Sequence, residues 1–152
     1  MSYAARTKYD EPGRAARYRG RSPRRDEEEW ALLARCLDAL DATPHEALDV
    51  PCGTGRVAER LLERGLAVRG ADLSPAMRAE TEVRLGGREG FLGVIALDLD
   101  EVAPGAEAHA AVVVLCFRFL PHLPGEAARA RVLKSLRRLT RRVLLLSVHL
   151  PV

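Results

Sequence analysis

One stretch of this chain combines residue types that suit a nucleotide-like ligand. Residues 48–56 read Leu-Asp-Val-Pro-Cys-Gly-Thr-Gly-Arg, an apolar strand end that runs through a glycine turn into a helical pattern. Gly53 and Gly55 permit backbone angles and close approaches that a Cβ would prevent. A helix that begins after such a turn presents unpaired backbone N–H groups, which suit an adenosine ligand or an anion. A short Gly-x-Gly turn is weak evidence alone, so its meaning depends on the residues that accompany it.

Asp72 follows the next predicted strand, seventeen residues after Gly55 (72 minus 55). A carboxylate at the end of that strand can accept hydrogen bonds from both hydroxyls of a ribose, as in nucleotide-binding parallel sheets. The alternative is an exposed Asp that caps the helix near Ser74. The position of Asp72 at a strand end, beside the glycine turn, favours the ribose role.

Asp98 follows the third predicted strand and begins an acidic loop, Asp-Leu-Asp-Glu. Its carboxylate could accept a hydrogen bond from the exocyclic amine of adenine, while the backbone N–H of Leu99 faces a ring nitrogen of the base. The alternative is an Asx turn within the loop. We favour the adenine role, because the carboxyl ends of parallel strands meet at one edge of a sheet.

Alternating strands and helices must position these residues. Apolar runs predict strands at residues 47–50, 67–71, 91–97, 111–116 and 142–150. A first helix is predicted from Asp26, with Glu29 completing a capping box. Further helices are predicted from the glycine turn to about Arg64, from an N-cap at Ser74 to about Leu85, and after Gly125. This alternation gives right-handed βαβ units, so the predicted fold is α/β, a doubly wound parallel sheet of about five strands with flanking helices.

The composition bounds the class of protein. The chain has 152 residues, 47% of them apolar and 30% charged, as in a single globular domain. No apolar run approaches the roughly 18 residues that a membrane-spanning helix needs, and the Arg-rich first residues lack the apolar block of a signal peptide. Cys36, Cys52 and Cys116 form no CxxC pair, so neither a disulfide framework nor a metal site is predicted. These features predict a cytoplasmic protein.

Residues 1–25 are predicted to form a flexible basic arm or lid, and residues 26–152 the ligand-binding domain. The arm is polar and sustains no helical or strand period. A second basic cluster lies between Arg129 and Arg142. Nucleic acid is disfavoured as a partner, because few aromatic residues accompany these arginines and a solvated face explains them.

Four segments together resemble the class I S-adenosylmethionine-dependent methyltransferases. They are residues 49–55 (Asp-Val-Pro-Cys-Gly-Thr-Gly), residues 70–77 (Gly-Ala-Asp-Leu-Ser-Pro-Ala-Met), Asp98, and residues 116–124 (Cys-Phe-Arg-Phe-Leu-Pro-His-Leu-Pro). The likeness covers about residues 15–152. The Asp-Leu-Ser-Pro-x-Met segment at this distance from the glycine turn is its most specific part. The resemblance implies that the sheet is Rossmann-like.

The resemblance also implies that the chain binds S-adenosylmethionine and transfers its methyl group to a small-molecule acceptor. In that family the glycine turn packs against the methionine part of the cofactor, the residue matching Asp72 binds the ribose, and the residue matching Asp98 holds the adenine. The residue matching Asp49 contacts the cofactor amine directly or through water. The residue matching Cys116 lies near the methionyl group. The implied cofactor-binding residues are Asp49, Pro51, Cys52, Gly53, Gly55, Asp72, Leu73, Met77, Asp98, Leu99 and Cys116.

His122 is the best candidate for a catalytic residue, as a general base that is needed only when the acceptor atom carries a proton. It follows the fourth predicted strand at the ligand edge, and imidazole titrates near neutral pH. A structural histidine that bonds a loop carbonyl is the interpretation we favour over catalysis. The nearby Arg118 could bind an acidic methyl acceptor, or its side chain could be solvated.

Two departures from the family pattern concern the glycine turn and the number of strands. Pro51 replaces the first glycine of the turn and lacks an N–H. The family sheet normally has seven strands, whereas this sequence predicts five. Without two more strands, residues 143–148 would form an apolar exposed edge, which proteins usually cover. A truncated form, or a homodimer through the exposed last strand, would resolve this conflict.

Two other functions stay open from the sequence. A catalytically weak domain that only binds the cofactor would fit the short sheet. A nicotinamide-dependent oxidoreductase would fit Gly53-x-Gly55-x-x-Ala58, which also matches a dinucleotide fingerprint. The segment 73–77 and the early end of the sequence favour the methyltransferase interpretations.

Overall fold

The computed structural model describes residues 23–40 and 46–148. Residues 1–22 of the predicted arm and residues 149–150 of the predicted last strand lie outside these ranges. The helices are α1 (Pro23–Asp38), α2 (Arg56–Glu63), α3 (Pro75–Leu85) and α4 (Gly125–Leu139), with 3₁₀ turns at Ala106–His109 and Leu120–His122. The strands are β1 (Glu46–Asp49), β2 (Ala67–Asp72), β3 (Phe91–Ala96), β4 (Ala111–Cys116) and β5 (Thr140–Leu146). Within the described ranges, no helix has the length and apolar character that a membrane crossing requires.

The five strands form one parallel sheet in the order β3-β2-β1-β4-β5. The strand order reverses at β1, which lies between β2 and β4. The predicted α/β fold and the predicted number of strands are therefore confirmed. Ligands of such sheets bind outside the carboxyl ends of the strands, beside the point where the order reverses.

The central strands bury alternate residues on opposite faces of the sheet. Leu48 and Val114 pack in one apolar cluster with Leu136 of α4. Val113 packs in a second cluster, on the other face, with Leu61 of α2. Because both faces are covered by helices, β4 is apolar along its whole length rather than alternating.

The apolar face predicted for α1 packs against the sheet. Leu33 and Leu37 are buried in the cluster that also holds α2, and Trp30 packs against it. The predicted start of this helix is wrong, because α1 begins at Pro23 and Asp26 lies inside its first turns rather than at the N-cap. A proline suits the first position of a helix, where its missing N–H has no partner to lose.

Caps fix the junction between β2 and α3. The Ser74 hydroxyl accepts a hydrogen bond from the backbone N–H of Met77 at 3.3 Å, and Pro75 is the first residue of α3, as the sequence predicted. The turn that carries Asp72 therefore enters α3 in one defined direction.

At the end of α2, Gly65 has the positive φ of +83° that a helix-terminating glycine commonly adopts.

Four of the five predicted strands have bounds that differ from the observed ones by one to a few residues. β1 covers residues 46–49, β2 ends at residue 72, β3 ends at residue 96, and β5 covers residues 140–146 instead of 142–150. Pairing explains β5, because Thr140 pairs with Ala111 and Leu146 pairs with Cys116, the first and last residues of β4. The length of an edge strand follows the length of the strand that it pairs with. The apolar pattern of the edge strand alone does not contain this information.

Candidate functional site

A cavity opens at the carboxyl ends of the strands. Its volume is about 1020 Å³ including the mouth that is open to solvent. Every site residue predicted from the sequence lines it, except Gly55 and Cys116. The lining residues are Glu29, Asp49, Val50, Pro51, Cys52, Gly53, Thr54, Arg56, Val57, Asp72, Leu73, Ser74, Met77, Leu97, Asp98, Leu99, Phe117, Arg118, Phe119 and His122.

The glycine turn follows β1 and has left-handed backbone at Gly53 (φ +56°) and Gly55 (φ +83°). The Thr81 hydroxyl of α3 donates a hydrogen bond to the Gly53 carbonyl at 2.8 Å. A Cβ on Gly55 would lie 3.2 Å from the Leu85 side chain and 3.3 Å from that of Thr81. Gly55 therefore lets the turn pack closely on α3, and it contributes shape rather than cavity surface.

Asp72 is the last residue of β2 and is almost fully buried. Its Oδ2 accepts the backbone N–H of Gly53, and its Oδ1 accepts the backbone N–H of Ser74, both at 2.9 Å. The carboxylate therefore joins the glycine turn to the start of α3 and also borders the cavity. Each carboxylate oxygen has two lone pairs and can accept more than one hydrogen bond.

Asp49 ends β1 and has only 1% of its surface exposed. Its pKa is raised to about 8, mainly by burial and also by the charge of Asp72. A backbone hydrogen bond from Ala58 and the charge of Arg56 act in the opposite direction and lower the pKa. The Oδ2 atom has no hydrogen-bond partner within the described ranges. A buried carboxyl of this kind suits a cation, which would favour its charged form.

Asp98 and Leu99 lie at the β3 end of the same cavity. Asp98 Oδ1 accepts the backbone N–H of Asp100 at 2.9 Å, which is the Asx turn considered from the sequence. Asp100 in turn binds Arg131 of α4 at 2.7 Å. The loop is thus anchored to α4 while the Asp98 side chain stays at the cavity wall.

The β4 end of the cavity is formed by residues after the strand rather than by Cys116. Cys116 is fully buried and does not reach the cavity, and burial raises the pKa of its thiol to about 12. Phe117, Phe119 and His122 line the wall here, and His122 is exposed in a 3₁₀ turn. His122 therefore has access to a ligand, whereas Cys116 has none.

Cys52 lines the cavity as a neutral thiol. Burial raises its pKa well above the usual value, and the charges of Asp49 and Asp72 act in the same direction. Its sulfur lies 3.5 Å from the Thr81 hydroxyl. Because the thiolate is the nucleophile, this environment gives Cys52 a packing role. Across residues 23–40 and 46–148, no cluster of His, Cys, Asp and Glu could hold a metal ion.

A charge cluster at the α1 side of the cavity consists of Asp26, Glu29, Arg56 and Arg118. Asp26 forms ion pairs with both arginines, and Glu29 pairs with Arg118 at 2.5 Å. Burial alone would raise the pKa of Asp26, but hydrogen bonds and charges from the two arginines outweigh it and the pKa is lowered. The cluster ties α1 to the glycine turn and to the segment after β4.

This charge cluster is not predicted by the residue pattern of the sequence. The sequence predicts that Glu29 completes a helix cap, and that Arg118 either contacts an acidic acceptor or is solvated. The one sequence signal was position, since Arg56 ends the glycine turn and Arg118 lies two residues after β4. Their common partner Asp26 is 30 residues from Arg56 and 92 from Arg118, so spacing along the chain does not reveal it.

Comparison with known proteins gives consistent matches. A family model described as "Methyltransferase domain" matches residues 47–142. A ubiquinone biosynthesis O-methyltransferase of Azoarcus sp. (strain BH72) is 38% identical over 85 residues, covering 52% of this chain and 34% of that protein.

Solved structures of similar fold include two proteins that act on sugars. An amino pentose methyltransferase of Micromonospora echinaspora, solved with SAM bound, has a TM-score of 0.69 and 28% identity, covering 90% of this chain and 55% of that one. A sugar N-methyltransferase of Streptoalloteichus has a TM-score of 0.70 and 27% identity, covering 85% of this chain and 50% of that one. This chain thus spans about a third of the curated relative and about half of each of these structures.

Proposed function

Because the chain belongs to the methyltransferase-domain family, we propose that it binds S-adenosylmethionine and transfers the methyl group to a small-molecule acceptor. The observation that carries this proposal is the placement of Asp98, Asp72 and Asp49 along one cavity, at the ends of three neighbouring strands. A spaced row of acidic side chains suits an extended ligand with an adenine amine, a ribose and a cationic amine. Family membership favours this function over the nicotinamide-dependent oxidoreductase that the glycine spacing alone allowed.

The cavity offers groups that fit such a cofactor. Asp49 Oδ2 and Thr54 Oγ1 are buried side-chain oxygens without hydrogen-bond partners within the described ranges, and both residues line the cavity. A carboxylate and a hydroxyl of this kind suit the ammonium group of an amino acid, which has three N–H donors. Unsatisfied buried polar groups are destabilising, so a ligand that pairs with them gains affinity.

Each residue role from the resemblance is part of this proposal. Asp72 binds the ribose hydroxyls from its place on the cavity wall at the end of β2. Asp98 and the Leu99 backbone hold the adenine. The remaining proposed contacts are Pro51, Cys52, Leu73 and Met77, which line the cavity, and Gly55 and Cys116, which act through the shape of its walls.

The chemistry divides between the cofactor and the chain. When bound, S-adenosylmethionine supplies an electrophilic methyl group. The chain holds the cofactor in one orientation and positions the acceptor, and such alignment contributes up to about 7–11 kcal/mol in favourable intramolecular reactions. We propose His122 as the general base for an acceptor atom that carries a proton, supported by its exposed place on the cavity wall.

We also propose a cytoplasmic location and a homodimer. The location is supported by three free cysteines, of which Cys36 is exposed, because a reducing compartment preserves thiols. The homodimer is supported by β5, whose outer edge is unpaired within the described ranges and whose apolar Leu146 is 36% exposed. Sedimentation of the purified chain tests the proposed homodimer. A dimer is expected, and a monomer would contradict the proposal.

Calorimetric titration tests the cofactor assignment. The folded chain is expected to bind S-adenosylmethionine and to give no heat of binding with NAD. No binding of S-adenosylmethionine at millimolar concentration would contradict the proposal. Formation of S-adenosylhomocysteine with a panel of acceptors then distinguishes a transferase from a domain that only binds the cofactor.

A further inference from the structure

Arg78 holds the turn that carries Asp72 from outside the cavity. It is the fourth residue of α3, and its Nη1 donates hydrogen bonds to the backbone carbonyls of Asp72 at 2.9 Å and of Leu73 at 2.8 Å. A terminal guanidinium nitrogen carries two N–H donors, so one nitrogen can serve both carbonyls. The side chain is half-buried and is absent from the described residues that line the cavity. Arg78 therefore binds the backbone of two cavity residues without lining the cavity itself.

The peptide group between Leu73 and Ser74 is held at both of its ends. Its carbonyl, which belongs to Leu73, accepts a hydrogen bond from Arg78 Nη1. Its N–H, which belongs to Ser74, donates to Asp72 Oδ1 at 2.9 Å. Because a peptide group is planar, the direction of its carbonyl fixes the direction of its N–H. A change at the Arg78 contact therefore moves a donor that orients the Asp72 carboxylate.

The stability of α3 does not explain an arginine at position 78. The helix macrodipole disfavours a cation near a helix N-terminus, and no acidic residue lies in the first turn of α3 to offset one. The N-terminus is already capped by the Ser74 side chain, which accepts the N–H of Met77. The guanidinium adds two bonds to the turn that precedes the helix, so the contribution of Arg78 lies in the geometry of that turn.

The turn that Arg78 binds presents both of its first two side chains to the cavity, those of Asp72 and Leu73. The Asp72 carboxylate has a backbone donor on each oxygen, from Gly53 on Oδ2 and from Ser74 on Oδ1. The second of these donors belongs to the peptide group that Arg78 binds. A carboxylate that is held in one orientation before a ligand arrives binds hydroxyl groups at a lower entropic cost.

Resting on the methyltransferase function proposed above, with Asp72 at the ribose, we infer that Arg78 is a positioning residue for the ribose of the cofactor. It acts through the Leu73–Ser74 peptide group, which keeps the Asp72 carboxylate turned toward the ribose hydroxyls. Arg78 touches neither the cofactor nor the methyl acceptor. Its loss therefore weakens the contact between Asp72 and the ribose and leaves the contacts of the amino-acid part of the cofactor in place.

The test is calorimetric titration of the full chain with S-adenosylhomocysteine and with its 2′-deoxy analogue. The wild-type chain is expected to prefer S-adenosylhomocysteine by about tenfold, the effect of one hydrogen bond to a charged group. In Arg78→Met, which keeps the apolar part of the side chain and donates no hydrogen bond, this preference should fall to about threefold or less, because the ribose contact and Arg78 are coupled. A change in overall stability or in net charge acts on both ligands alike and leaves the preference unchanged.

Two further variants make the outcome decisive. Arg84→Met is the matched control, because Arg84 lies on the same helix but binds Glu59 at 2.9 Å, and it should keep the wild-type preference. Arg78→Lys serves if the methionine variant does not fold. An ammonium group lacks the planar fork of a guanidinium, so the preference should still fall, by a smaller factor.

An unchanged preference in Arg78→Met, or in Arg78→Lys where that variant alone folds, would overturn the inference. An equal fall in Arg84→Met would overturn it as well. A wild-type chain that binds both ligands equally would refute the ribose role of Asp72 and the inference with it. A wild-type chain that does not bind S-adenosylhomocysteine would instead refute the proposed function itself.

Discussion

Gly53 donates its backbone N–H to Oδ2 of Asp72 over 2.9 Å, so the carboxylate that ends β2 holds the glycine turn that follows β1. The same side chain accepts the N–H of Ser74 and thereby fixes the entry to α3. Asp72 thus organises two loops of the cavity before any ligand arrives. A ribose bound there meets a carboxylate whose orientation is already set, which lowers the entropic cost of binding.

Gly55→Ala should destabilise the chain more than a glycine substitution elsewhere. A Cβ at this left-handed position costs about 1–2 kcal/mol, and contact with Leu85 and Thr81 at 3.2–3.3 Å adds an overpacking cost of about 1–3 kcal/mol. Gly65→Ala is the matched control, since Gly65 has the same φ of +83° and no atom within 4 Å of the added Cβ. Urea unfolding of both variants measures the difference, and equal losses would show that the close packing on α3 contributes nothing.

Asp49 should make the stability of the chain fall as the pH rises. Its pKa is raised from 3.8 to about 8 in the folded state, so the folded chain binds a proton that the unfolded chain has already released. This contribution is fully present below about pH 4 and is lost as the pH rises through 8. Relative to Asp49→Asn, which does not titrate, the wild-type chain should lose at least about 1.4 kcal/mol between pH 5 and pH 8, the equivalent of one pKa unit. Urea unfolding at each pH gives this difference, and a constant difference would contradict the assignment.

Asp26→Ala should loosen α1, because it removes the partner that Arg56 and Arg118 share. The three side chains are 18–26% exposed, so we expect a loss of about 1–2 kcal/mol in the free energy of unfolding. Glu28→Ala removes the i,i+4 pair with Arg24, in which both side chains are mostly exposed, and should change stability by about 0.5 kcal/mol or less. Similar losses in the two variants would argue against a structural role for the charge cluster.

Local patterns predicted the fold well where the relevant contacts are close in sequence. Ser74 and Pro75 marked the start of α3, and the continuous apolar run of β4 indicated a strand covered on both faces. The predicted bounds of β5 were wrong because they depend on pairing with β4. The predicted start of α1 was wrong because Asp26 has the residue type of a helix cap but forms hydrogen bonds with arginines far along the chain.

The same distinction applies to the candidate site. The rule that ligands bind at strand ends placed Asp49, Asp72 and Asp98 at one cavity, because it depends only on topology. It could not show that the Cys116 side chain turns into the core, since one residue of register decides which face a strand side chain takes. Glu29 of α1 was missed because helix packing on the sheet, not spacing, brings it to the cavity.

The affinity of Asp72→Ala for S-adenosylhomocysteine tests the central claim, that this cavity is a cofactor site with Asp72 at the ribose. Calorimetry should show binding at least about tenfold weaker than in the wild-type chain, since hydrogen bonds to a charged group contribute about 1.5–3 kcal/mol. A 2′-deoxy analogue of the ligand separates the ribose contact from the support of the glycine turn, because removal of that hydroxyl should weaken binding to the wild-type chain much more than to Asp72→Ala. An unchanged affinity of Asp72→Ala for S-adenosylhomocysteine would contradict the account.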